Sequence, residues 1–273
     1  TTDQTLMILG SAEAGSRVTV YIGGVSIGTT MSNGSGNWSY DHTGTTLAEG
    51  SYSVTAIAMD TAGNNSRASG SFTVIIDRTA PSIPSVASIS TDNGASSTDE
   101  ITTDQTLVFS GTAEANSTVE VFIGGVSVGS TTAGGTGDWN YDHTGTTLAE
   151  GTYSITAEAT DAAGNTSSTS AALAVVIDLT APNAPVVASI TSDNGLSNTD
   201  EITNDQTLEI SGTAEANSTV EVFIGGVSIG TTTTNGTGNW TYDYTGTTLA
   251  AGNYSITATA TDATVTAISK ELK

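Results

Sequence analysis

The residues of this chain that could do chemistry are carboxylates, and they recur in register. Asp60, Asp161 and Asp262 stand 101 residues apart, and Asp77 with Asp178, and Glu114 with Glu215, repeat at the same interval. Of the 273 residues, 28 are Asp or Glu and 5 are Lys or Arg, a formal charge of −23. At least 23 carboxylates therefore have no cationic side chain to pair with. Three carboxylates meeting within about 4–6 Å disfavour joint ionisation unless a cation joins them. Arg78 is the only cation near the first candidate group, and its counterpart one repeat later is Leu179, so arginine is not the general answer. A hard divalent cation is. Calcium accepts about 6–8 oxygen ligands in flexible geometry, from carboxylates, Asn side chains and backbone carbonyls, whereas magnesium prefers compact octahedral sites with retained water.

The same inventory excludes other chemistry. There is no Cys, which removes disulfides, zinc–thiolate sites and thiol nucleophiles. His42 and His143 share one register, but the third position in that register is Tyr244, so no imidazole role is common to all repeats and both are expected in surface loops. No Gly-x-Ser-x-Gly elbow with a His partner is present, and the glycines sit in turns rather than ahead of a helix. The acidic balance argues against nucleic acid and anionic membranes, which reward Lys and Arg clusters. No apolar run approaches the roughly 20 residues that cross a bilayer, so no membrane insertion is expected. No signal peptide opens the chain, which reads as a segment of something longer.

What must position these carboxylates is a tandem array. Trp38, Trp139 and Trp240 have the same spacing of 101, and residues 102–161 match 203–262 at 47 of 60 positions without a gap. A unit of that length can bury its own core, unlike a shorter solenoid repeat. The boundaries place domain 1 at 1–77, domain 2 at 78–178 and domain 3 at 179–273. Thr1 aligns with Thr102, so the first unit lacks the counterpart of 78–101. The third departs after Asp262, reading Thr264-Val265-Thr266 where the second reads Ala163-Gly164-Asn165, and carries Lys270 and Lys273 in that tail. The ends read as fragment boundaries or as an unusual terminal unit.

Within the complete unit, residues 119–123, 126–128, 139–141, 153–159, 172–177 and, opening the next unit, 186–190 and 208–211 read as strands, from alternation and from β-branched and aromatic content. Gly124-Gly125 favours a tight primed hairpin turn. No stretch has a capped helical period. About seven short strands per hundred residues, separated by turns, predict an all-β chain of tandem antiparallel β-sandwiches in an elongated array. The recurrent Trp is expected in the core, and Tyr52, Tyr153 and Tyr254 at a strand corner.

The strings Ser110-Gly111-Thr112-Ala113-Glu114-Ala115-Asn116-Ser117-Thr118-Val119, Asp161-Ala162-Ala163-Gly164-Asn165 and Val176-Ile177-Asp178-Leu179-Thr180-Ala181-Pro182 resemble the bacterial Ig-like repeats of giant surface adhesins, including the RTX-type adhesins of Gram-negative bacteria. The resemblance implies an Ig-like fold and a non-enzymatic role as an extender. Such a segment holds a ligand-binding tip away from the bacterial cell surface, in the extracellular space, with calcium stiffening the junctions.

Counting strand reversals places the carboxylates independently. The top of one unit offers the Asp that ends its last strand, and the bottom of the next offers a Glu and an Asp from two turns. At the first junction these are Asp77, Glu114 and Asp161, with Asn165; at the second, Asp178, Glu215 and Asp262. Asp99, Glu100 and Asp104 add to the top of the middle unit, whereas Asp92-Asn93-Gly94, a poor match to an EF-hand loop, reads as a turn. The linkers Asp77–Pro84 and Asp178–Pro185 each hold two prolines, which makes them short and stiff. The expected partners are calcium ions and neighbouring repeats of the same chain, which is read as a monomer. The rival readings are a carbohydrate- or protein-binding module and an accessory region of a secreted hydrolase.

Overall fold

The computed structural model describes residues 1–93, 96–194, 196–197 and 200–262, and the backbone of 266–268. Gly94 and the tail residues Thr264, Val265, Lys270 and Lys273 lie outside the described residues. No helix occurs among the described residues, and accordingly none is long and apolar enough to cross a membrane.

Domain 1 contains β1 (Leu6–Ser11), β2 (Arg17–Ile22), β3 (Val25–Met31), β4 (Asn37–His42), β5 (Gly50–Met59) and β6 (Phe72–Ile76). Domain 2 contains β7 (Ser85–Ile89), β8 (Ile101–Thr102), β9 (Val108–Thr112), β10 (Thr118–Ile123), β11 (Val126–Thr132), β12 (Asp138–Asp142), β13 (Gly151–Thr160) and β14 (Leu173–Ile177). Domain 3 contains β15 (Val186–Thr191), β16 (Leu208–Thr213), β17 (Thr219–Ile224), β18 (Val227–Thr233), β19 (Asn239–Tyr244), β20 (Ile256–Thr261) and β21 (Thr266–Ile268).

Domain 2 is the complete sandwich. One sheet has the order β12-β9-β7 and the other β11-β10-β13-β14-β8. Alternation builds it: along β10, Val119 and Val121 turn into the core while Glu120 faces out. Trp139, Phe109, Leu107, Ile155 and Ile177 fill the space between the sheets. Gly124 and Gly125 close the β10–β11 hairpin at φ 58° and 80°, the left-handed pair a type I′ turn demands. The Tyr153 hydroxyl donates to the Ala149 carbonyl four residues upstream (2.9 Å), and Tyr52 and Tyr254 do the same with Ala48 and Ala250. A second tyrosine ties the sheets together: Tyr141 on β12 donates to the Val128 carbonyl, at the bulge where β11 slips against β10.

Two features differ from the sequence reading. An eighth, two-residue strand, β8, pairs in parallel with β14, too short to carry a periodic signal. His143 is buried rather than on a surface loop, with its ring against Phe109 (centroids 5.9 Å apart) and Tyr141 (6.1 Å).

Domain 3 repeats the plan with sheets β15-β16-β19 and β18-β17-β20-β21. In domain 1 the described residues form β3-β2-β5-β6 on one side and β1-β4 on the other, and the register that β7 holds in domain 2 falls before Thr1.

Candidate functional site

At the first junction the carboxylates are held by their own turns. Asp161 directly follows β13, and its Oδ1 accepts the backbone N–H groups of Ala163 (2.8 Å) and Asn165 (2.9 Å), while Oδ2 accepts the Asn165 side-chain amide (2.7 Å). The Asn165 amide, foremost, and the backbone donors hold this carboxyl below the usual carboxylate range. The same Asn165 amide reaches across to the Asp77 carbonyl at 3.3 Å, so the end of β6 and the β13–β14 turn of the next domain meet directly. The Asp77 carboxylate caps the linker by accepting the Thr79 N–H (3.1 Å), and the Thr79 hydroxyl donates to Glu49 (2.6 Å). Glu114 comes from the β9–β10 turn; its side chain is exposed and its carbonyl receives the Ser117 N–H and hydroxyl.

The second junction repeats the cap: Asp178 accepts the Thr180 N–H (3.0 Å), and the Thr180 hydroxyl donates to Glu150. Glu215 is exposed and Asp262 is half-buried at the end of β20. All four linker prolines, Pro81, Pro84, Pro182 and Pro185, are buried. Among the described residues no three Asp, Glu or His side chains are gathered closely enough to hold an ion.

A second acidic site lies at the top of domain 2, between β7 and β9. The Asp92 Oδ2 accepts the N–H groups of Asp99 and Glu100, both at 3.1 Å. Those bonds hold Glu100 at φ 56°, a left-handed conformation that costs a non-glycine residue about 1–3 kcal/mol. The other oxygen, Oδ1, is buried with no hydrogen-bond partner. Burial, then Asp92, then Asp99 push the Glu100 carboxyl above its ordinary value. Burial also pushes Asp104 up, but the Thr106 backbone and hydroxyl and the Thr91 side chain outweigh it and leave this carboxyl lowered. The loop is tied to β14 and the residue after it, through Val176 N–H to the Glu100 carbonyl (2.9 Å) and Asp178 N–H to the Thr102 carbonyl (3.0 Å). No Lys or Arg lies between positions 79 and 178.

Domain 3 reproduces this loop. Asp193 Oδ2 accepts from Asp200 and Glu201, Glu201 sits at φ 54°, and Asp193 Oδ1 is again buried without a partner. The model of the bacterial Ig-like domain matches the chain three times, over residues 1–78, 79–179 and 180–272. The chain belongs to the bacterial Ig-like domain family. Among solved structures, it is similar to part of a 1.5-MDa bacterial ice-binding adhesin, at 23% identity over 97% of this chain and 90% of that one, TM-score 0.39. It is also similar to the fibronectin(III)-like modules of Clostridium thermocellum CbhA, at 16% identity over 63% of this chain and 85% of that one, TM-score 0.36. No match is found among curated protein sequences.

In these Ig-like domains the sequence reading named Asp99, Glu100 and Asp104 but set Asp92 aside as a turn residue. The structure makes Asp92 the hub of the loop. Its signal in the sequence was recurrence, since Asp193 holds the same register. By donor chemistry the loop suits an oxygen-seeking divalent cation, since it has a buried carboxylate oxygen lacking a donor and no counter-charge, but its three carboxylates are not gathered around a common point. A buried unpaired oxygen of this kind calls for an ion or a water.

Proposed function

We propose that the chain is a structural extender of a bacterial cell-surface adhesin, non-enzymatic and extracellular, stiffened by calcium. The observation that carries this reading is the clamped linker between two copies of one Ig-like domain. Thr79 is bonded back to Glu49, buried Pro81 and Pro84 follow, and Asn165 of the next domain holds the Asp77 carbonyl. A linker tied at both ends transmits the direction of one domain to the next, which is what a spacer requires.

Calcium is the ion the donor set favours, since only oxygen ligands are on offer and their arrangement is irregular. In the acidic loops the ligands are Asp92, Asp99 and Glu100, with Asp193, Asp200 and Glu201 one repeat on. At the junctions they are Asp77, Glu114, Asp161 and Asn165, then Asp178, Glu215 and Asp262, side chains that an ion would have to draw together because they are not gathered around a common point. A bound cation supplies counter-charge there and raises the stability of the folded form by mass action.

The test is calcium titration by calorimetry of the parent chain and of Asp92→Ala, Asp77→Ala and Glu114→Ala, with small-angle scattering in calcium and in chelator. Calcium is expected to raise the melting temperature and lengthen the particle, and each substitution to remove part of the heat. Identical melting curves and scattering profiles in calcium and in chelator overturn the reading.

A further inference from the structure

The outer face of the larger sheet carries different chemistry in each domain. In domain 1 the register across β3, β2 and β5 sets Arg17 between Met31 and Met59, Thr19 beside Ile57, and Tyr21 beside Thr55. These side chains point away from the core, because Val18, Val20 and Ile22 alternate with them inward. Arg17 and Met31 are exposed, and none of these positions carries a carboxylate. In domain 2 the matching rows read Thr132, Thr118 and Thr160, then Ser130, Glu120 and Glu158. Glu120 and Glu158 stand directly opposite each other, and like charges so placed repel. Each takes one hydroxyl, from Ser127 and from Thr169, and no Lys or Arg lies between positions 79 and 178 to answer them. Domain 3 sets Glu221 opposite Thr259, a single carboxylate.

This face is open by the plan of the domain, whatever precedes residue 1. In domain 2, β7 joins the opposite sheet, beside β9, and leaves the outer face of β11-β10-β13 uncovered. Thr118 and Thr132 in domain 2, and Thr233 in domain 3, are exposed although another domain precedes each. They hold the register of Arg17 and Met31. Within one chain the faces of domains 1 and 2 do not meet. The Asn165 amide on the Asp77 carbonyl sets the second domain end-on to the first. Between copies they are free to meet.

We propose that the Arg17 face of domain 1 docks on the Glu120–Glu158 face of domain 2 in a second copy of this chain. A guanidinium is a planar fork that two carboxylates can share. Directly opposite residues, with Cβ atoms about 4.5–5.5 Å apart, present the two carboxylates at that span. Met31 and Met59 flank the fork; flexible and apolar, they exclude water from the ion pairs and adapt to Phe122 and the threonine methyls. The contact also relieves a repulsion that nothing in domain 2 relieves. Domain 3, with one carboxylate, is the weaker mate. Each copy carries −23, but charges farther apart than about 8 Å are largely screened at physiological salt, so the contact itself decides. The face is small, so the association is weak and reversible. This departs from the reading of the chain as a monomer.

The experiment is sedimentation equilibrium of the full chain over a concentration series, in chelator and at about 0.15 M salt. The expected result is self-association that grows with concentration. Arg17→Thr gives domain 1 the residue that domains 2 and 3 carry at that register, and Glu158→Thr copies domain 3, so neither puts the fold at risk. Arg17→Thr weakens association at least about tenfold and Glu158→Thr about threefold to tenfold, as loss of a charge-assisted fork or of one of its arms allows. Arg17→Glu and Glu120→Arg each lose association alone, and a mixture of the two regains it, which a merely structural role would not do. On association, peroxide oxidation of Met31 slows, while that of Met7, on the other sheet, does not. A single species at every concentration, parent-like association of Arg17→Thr, a mixture that stays dissociated, or protection of Met7 in place of Met31 each overturns the proposal. Because the chelator removes calcium, such a failure leaves the calcium reading standing.

Discussion

Domains 1 and 2 share a repeat, but within residues 1–273 only domain 2 includes the segment that supplies β7, because the matching register of domain 1 falls before Thr1. In domain 2, β7 covers β9; twelve residues form a buried cluster, and Trp139 is 1% exposed. In domain 1 the matching cluster holds five, and Trp38 is 9% exposed. Yet the hairpin glycines, the corner tyrosine and the Asp60 turn are the same in both. The local devices therefore form without the extra strand, because each is made within a hairpin or between neighbouring strands. Core closure does not, since it needs a second layer over Ile8 and Trp38. Closure also has a cost: the Trp139 and Trp240 indole N–H groups are buried without an acceptor, a loss of about 1–3 kcal/mol each that the surrounding apolar burial offsets.

The largest effect separating the two domains, as residues 1–273, is predicted for the residue that β7 covers in domain 2. Phe109→Ala should cost domain 2 about 3–5 kcal/mol, the range for a large buried aromatic. Ile8→Ala at the same register should cost clearly less, because its site is already half open. Denaturant unfolding of the full chain, followed domain by domain by hydrogen exchange, measures both, and equal costs would mean that β7 contributes nothing to closure.

A sharper comparison uses the glycine beside β7, since a Cβ on Gly111 would strike the Ser85 carbonyl. Gly111→Ala should destabilise domain 2 by about 1–3 kcal/mol through overpacking and expose the 78–90 segment to protease as β7 lifts away. Gly10→Ala meets Trp38 alone and should leave that segment as resistant as in the parent. Cleavage there in both variants would break the comparison.

The smallest effect concerns the acidic loop of domain 2. The folded state holds the Glu100 proton more tightly than the unfolded chain does, because burial, Asp92 and Asp99 raise this carboxyl. Its contribution therefore lowers stability above that raised value and recovers as pH falls towards the unfolded value. Asp104 works the other way: its lowered carboxyl stabilises above the ordinary carboxylate range and is lost as pH falls through the lowered value. Glu100→Gln should accordingly raise the melting temperature by about 1–3 °C at neutral pH in chelator, a modest gain because the group is partly solvated. The gain should fade as pH falls through the raised value towards that of an ordinary glutamate carboxyl, as the parent residue itself becomes protonated. A fall in melting temperature at neutral pH in chelator would show that the like charges around Glu100 do not destabilise the loop.

Much of this was legible in the residues. Tyr153 to Ala159 alternate and form the heart of β13; Gly124-Gly125 makes the hairpin; Tyr153 stands at the corner, and Trp139 in the core. Three things were not legible, for one reason. β8 exists only because β14 lies beside it. His143 is buried only because Phe109 and Tyr141 flank it. The Asp92 carboxylate is half satisfied only because the loop returns to place Asp99 and Glu100 on one of its oxygens. Each depends on a neighbour distant in sequence, which periodicity does not record.

The order of residues by itself determined the repeat, the all-β class, the turns and the excess of carboxylate over cation, since these follow from spacing, side-chain alternation and charge. Tertiary structure decided which oxygen is left without a donor and which amide joins one domain to the next. Those outcomes depend on how completely two packed layers shield a group from water, a property of the assembled sandwich and of no segment alone.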